Sequence, residues 1–114
     1  MSKRDVQLLL KDILEAATNI LSFTSELDFD GFLEDKKTIH AVVRNFEVIG
    51  EAANRIPEDF KNNYPQIEWR RLVGLRNRSF MNTLVLITKN IWKIKKENVP
   101  QLMERIEMLI KDLS

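Results

Sequence analysis

Apolar residues recur at intervals of three and four along most of this chain, the spacing of one face of an α-helix. Val6, Leu9, Leu10, Ile13, Ala17, Ile20 and Leu21 form the first run. Ser2-Lys3-Arg4-Asp5 stands before it as a capping box, in which the Ser hydroxyl and the acid three residues later satisfy two free backbone N–H groups. The pattern predicts a helix from about Lys3 to about Ser25. Leu27 to Asp35 contains Asp28, Asp30 and Gly31 and reads as a loop. The acids there (Asp28, Asp30, Glu34 and Asp35) lack the spacing of an EF-hand, and helix capping explains them better than a metal does.

The clearest run is Ile39, Val42, Val43, Phe46, Ile49, Gly50, Ala53 and Ile56. It predicts a helix over about Asp35 to Arg55, stopped by Pro57, because the residue before a proline avoids the helical region. Gly50, Ala52 and Ala53 are small enough to let a second helix approach closely, which makes this helix the expected centre of the fold. Its other face carries Arg44, Asn45, Glu47, Glu51 and Asn54, either as a solvated surface or as the lining of a groove or a dimer seam. Pro57 to Tyr64 predicts one short helical turn, and Pro65 the first turn of a third long helix carrying Trp69, Leu72, Val73, Leu75, Arg76 and Asn77. Ile91, Trp92 and Ile94 predict a shorter helix. Lys93, Lys95 and Lys96 fall on its wet side, first as a solvated face and second as a contact for RNA phosphate. A last helix starts near Asn98-Val99-Pro100 and carries Leu102, Ile106, Leu109, Ile110 and Leu113. The expected fold is all-α: one domain over residues 1–114, an up-down bundle of four to five helices with short connections.

Composition narrows the function. Hydrophobic content of 44% and charged content of 31% describe an ordinary globular chain, long enough at 114 residues for one core. Without cysteine there is no disulfide or thiolate metal site, and with His40 alone there is no multi-histidine site. No metal and no cofactor is expected. No apolar run reaches membrane-spanning length and no signal-peptide core stands at the start, so a cytoplasmic protein away from membranes is expected. The net charge is +1, so any nucleic-acid binding must come from a local patch or a dimer groove.

One stretch interrupts an apolar face with chemistry. In Gly74-Leu75-Arg76-Asn77-Arg78-Ser79-Phe80-Met81, two arginines and an asparagine lie between apolar residues. A guanidinium fork binds phosphate oxygens bidentately, and an amide hydrogen-bonds them.

This stretch resembles the R-N-x-x-x-H core of the HEPN superfamily, in particular its HepT-like toxin ribonucleases. The resemblance covers most of the chain. Asp12-Ile13-Leu14-Glu15-Ala16-Ala17 is similar to the family's first helix, and Arg44 to Ala53 (R-N-F-E-V-I-G-E-A-A) to its second. Ile56-Pro57, Tyr64-Pro65, Trp69, Gly74 to Arg78, Ile91-Trp92 and Asn98 to Leu102 follow in family order. The resemblance implies a two-fold homodimer pairing through the motif helices. It also implies metal-independent cleavage of RNA and a type VII-like toxin–antitoxin pair with a nucleotidyltransferase (MNT-type) antitoxin. Arg76 would hold the phosphate charge, and Asn77 would bind the phosphate or orient its neighbours. Arg78, Glu47 and Glu51 would support the groove, the two acids offsetting the arginines gathered in a dimer cleft.

The match fails between Ser79 and Thr88. Met81 stands where the family has its histidine, and Thr83 where many relatives have a tyrosine that the antitoxin modifies with AMP. The family pattern over these positions is close to F-H-E-Y-F-G-I-N-Y. Codons for Ser79 to Thr88, regrouped by joining the last base of each to the first two of the next, can spell that string. Part of this is independent of codon choice: Met81 permits only His or Tyr at its place, and Met81-Asn82 forces Glu at the next. The segment therefore reads as the family motif out of frame, one base lost near codon 79 and one gained near codon 88. The alternative is ordinary divergence to an inactive relative. A histidine at position 81 makes the chain a ribonuclease. A true methionine makes it a catalytically inactive helical module that binds the nucleotidyltransferase or a nucleotide. A purely structural bundle is the third reading.

Overall fold

The computed structural model describes residues 1–76 and 84–114, with the side chains of 84–87 excepted. Among these residues all regular structure is helical. The elements are α1 (Lys3–Thr24), α2 (Phe29–Glu34), α3 (Lys36–Arg55), α4 (Glu58–Asn62), α5 (Trp69–Gly74), α6 (Leu84–Glu97) and α7 (Val99–Leu113). The all-α class holds, but the expected bundle of four to five helices does not: seven distinct helices are present among the described residues.

The excess comes from short helices that local periodicity cannot reveal. The expected loop after α1 contains α2, started by the Asp28 side chain accepting from the Gly31 N–H at 2.8 Å and held down by Phe32, which is fully buried. A six-residue helix cannot sustain itself in water, so burial of Phe32 provides its stability. The helix expected from Pro65 begins at Trp69 instead and ends at Gly74. Between Tyr64 and Glu68 the chain turns, with the Ile67 N–H donating to the Tyr64 carbonyl and Trp69 Nε1 donating to that same carbonyl at 3.0 Å. Leu75 and Arg76 lie beyond the end of α5, and Asn77 lies outside the described residues.

The other elements follow the sequence closely, except that α6 begins at Leu84, well before the run of Ile91, Trp92 and Ile94 from which a shorter helix is expected. Ser2 and Asp5 form the capping box of α1. Asp35 caps α3, accepting from the Thr38 N–H at 3.0 Å and its hydroxyl at 2.8 Å. Pro57 ends α3, the short α4 follows, and Pro100 sits in the first turn of α7. Helix α3 is central: it packs against α1, α2 and α5, while α7 packs on α1 and α6. The core between them includes Leu10, Ile13 and Ile20 of α1, Val42, Phe46 and Ile49 of α3, Ile91 of α6, and Ile106 and Leu109 of α7. Polar ties fix the register of the long helices. Asn19 Nδ2 donates to Asn45 Oδ1 at 3.2 Å between α1 and α3, and Gln7 Nε2 donates to the Leu113 carbonyl at 3.0 Å at the end of α7. No helix among the described residues is long and apolar enough to cross a membrane.

Candidate active-site cleft

Arg44, Glu47, Val48, Glu51, Ala52 and Arg55 recur by three and four and so share one face of α3. Together with Leu9 and Asp12 of α1, and with Arg76, they line a cleft of about 410 Å³. Arg76 reaches it because of Gly50. A Cβ on Gly50 would collide with the Arg76 backbone nitrogen and stand 2.9 Å from the Arg76 Cβ, so only glycine lets the chain after α5 lie this close to α3. The Arg76 N–H is satisfied by the Val73 carbonyl at 3.3 Å, and its side chain is exposed.

The cleft is electrically mixed, with Arg44, Arg55 and Arg76 on its walls alongside Asp12, Glu47 and Glu51. A phosphate entering it meets guanidinium forks that carboxylates already partly neutralise, so its position is set by geometry more than by a long-range field. The ion pairs Lys61–Glu58 and Arg71–Glu68 lie elsewhere. No group of three or more histidine, cysteine or acidic residues placed to hold a metal occurs among the described residues.

Of the residues expected at the site, Arg76, Glu47 and Glu51 come together in this cleft. Asn77, Arg78, Met81 and Thr83 lie outside the described residues. Asp12 and Arg55 line the cleft without having been singled out as site residues. The stepping of α3 from residue 44 through 47 and 51 to 55 would have found Arg55. Asp12 needed knowledge of how α1 docks on α3.

Residues 13–109 match the family model described as Ribonuclease HepT-like. The chain belongs to the HepT-like ribonuclease family. Among its HepT-like relatives is "Putative RNase MJ0127" of Methanocaldococcus jannaschii, 44% identical over 113 residues, covering 99% of this chain and 93% of the relative. "Putative RNase MJ1380" of the same organism is 39% identical over 109 residues, covering 96% of this chain and all of the relative. "Probable ribonuclease HepT" of Thermococcus cleftensis is 41% identical over 109 residues, covering 96% of this chain and 99% of the relative. No solved structure matches the chain. The stretch matched by the HepT-like family model includes both Gly50 and Arg76.

Proposed function

We propose that the cleft centred on Arg76 is the RNA-cleaving site of a toxin endonuclease, a single HepT-like HEPN domain over residues 1–114 that works as a homodimer in the cytoplasm. A nucleotidyltransferase antitoxin holds it in check. The observation that carries this reading is the seating of Arg76 against Gly50, at the edge of a cleft walled by α3, in a chain of a ribonuclease family.

The chemistry needs two groups. A ribose 2′-oxygen forms a bond to the adjacent phosphorus while the bond from phosphorus to the 5′-oxygen breaks. The 2′-hydroxyl proton passes to a base, and the leaving 5′-oxygen takes up a proton. Arg76 supplies the cation that holds the charge building on the non-bridging oxygens, with Asn77 and Arg78 beside it in sequence and Glu47 and Glu51 offsetting like charge across the dimer. The base is the missing part. A histidine suits it near neutral pH, whereas the thioether of Met81 cannot take a proton. His40, the chain's sole imidazole, does not replace it: it lies ten residues before Gly50 on α3, about 15 Å along the helix axis from the point where Arg76 is seated.

Residues 79–88 are accordingly read as the family motif in a shifted frame, and sequencing the DNA across these codons tests that directly. An intact, in-frame gene encoding Met81 would instead favour the second reading, an inactive module that binds the antitoxin or a nucleotide. The functional test compares the chain as it stands with one rewritten to F-H-E-Y-F-G-I-N-Y over positions 80–88, on a fluorescent RNA. The rewritten protein should cut about a hundred- to ten-thousand-fold faster, the usual worth of a general base. Equal rates would remove the histidine-centred mechanism. The same pair should differ in AMP transfer, since the shorter, less acidic Thr83 hydroxyl is a poor substitute for a phenol.

A further inference from the structure

Helix α6 carries a surface that the cleft does not use. Lys89, Trp92, Lys93 and Lys96 recur at three, one and three, on one side of the helix, and with Phe29 of α2 and Glu97 they line a recess of about 280 Å³. Trp92 is half-buried and forms its floor. Its ring is tilted against Phe32 with centroids 5.1 Å apart and against Phe29 at 6.0 Å, so it is held rigidly. Lys95 Nζ stands 3.9 Å from the centroid of the Trp92 ring. Lys89, Lys93 and Lys96 are exposed, and none of the four lysines forms an ion pair among the described residues. Only Glu97 opposes them at the recess. Burial first, and the neighbouring Lys96 charge second, push Lys95 below the usual lysine range. In a chain whose net charge is only +1, this is a concentrated basic patch, offset at the recess by Glu97 alone and built around an aromatic platform.

We propose that this α2–α6 face is a second, non-catalytic RNA contact, in which Lys89, Lys93 and Lys96 hold the phosphates of a single strand while a base enters the recess against Trp92 and Phe29. Phosphates supply affinity through release of their counterions, and an aromatic face stacks any base without regard to sequence. A stripe of solvated lysines alone would not need the ring, and a core tryptophan alone would not need the lysines. The choice of RNA as the polyanion rests on the ribonuclease reading above, whereas the patch does not depend on the missing base. The chain as it stands can therefore be tested for binding without cleavage.

The measurement is fluorescence anisotropy of a labelled single-stranded oligouridylate titrated with the unaltered full chain over a range of salt concentrations. Binding should weaken about tenfold or more at low salt in the triple variant Lys89→Gln/Lys93→Gln/Lys96→Gln. The slope of log affinity against log salt should become shallower by roughly two, as losing three single-strand phosphate contacts requires. Glu97→Gln should bind more tightly. The oligonucleotide should quench tryptophan emission, and Trp92→Phe, which keeps a ring against Phe32, should lose most of that quench. Undiminished binding by the triple variant, or no RNA binding by the unaltered chain, overturns the proposal. Competition by polyglutamate as effective as by oligouridylate also overturns it, in favour of an acidic protein partner. Cleavage by the chain rewritten at 80–88 separates the two ideas. If the rewritten chain cuts while the triple variant still binds normally, only the patch fails. If binding depends on the lysines and the rewritten chain does not cut, only the nuclease reading fails.

Discussion

At the scale of single residues, Gly50 decides where Arg76 can be. Two effects oppose each other on replacing it with alanine. Helix propensity favours alanine over glycine by about 1 kcal/mol. The new Cβ, however, meets backbone rather than the flexible end of a side chain, and overpacking of that kind costs about 1–3 kcal/mol. The collision should win, so Gly50→Ala is expected to lower the melting temperature followed by circular dichroism. A raised melting temperature would mean that Arg76 does not rest on α3. Gly74 serves as the contrast, since a Cβ there meets nothing within 4 Å. Gly74→Ala should therefore cost no packing.

Among the elements, α1, α3, α4 and α7 were legible because their apolar periodicity, capping acids and prolines agree with one another. Helix α2 was not, because it is a six-residue piece whose stability comes from contacts distant in sequence, and for α5 the sequence located a helix carrying Trp69, Leu72 and Val73 but not its late start or its six-residue length. The face of α3 that walls the cleft could be read from its own spacing, but the contribution of Asp12 from α1 could not. Phe32→Ala should measure the tertiary debt of α2. Removing a fully buried ring from a small core is expected to cost about 3–5 kcal/mol in a urea titration, and a loss below 1 kcal/mol would restore the loop reading of this segment. The cap of α3 should show in pH dependence. Asp35 is held below the ordinary carboxylate range, first by the Thr38 backbone N–H and then by the Thr38 hydroxyl. Its contribution is therefore fully present above the unfolded carboxylate value, and it fades as pH falls through the lower folded value. Asp35→Asn, which can cap without ionising, should flatten that part of the acid melting profile; a profile as steep as the parent's would assign it to other carboxylates.

For the whole molecule, a monomer presents one Arg76 in a mixed-charge cleft, and the proposed homodimer brings two copies to one substrate. Light scattering at tens of micromolar should give twice the 13.4 kDa chain mass, and a monomer there would remove the two-copy site. The central claim is that Arg76, as seated on α3, is the group that stabilises the transition state. It is tested most directly by the single-turnover cleavage rate of the rewritten chain with and without Arg76→Ala. Because Arg76 is exposed, its truncation should leave the fold and its melting intact while cleavage falls by a hundredfold or more, about the worth of one preorganised charge donor. Cleavage at the parental rate by a folded Arg76→Ala protein would contradict the account and place the chemistry outside this cleft.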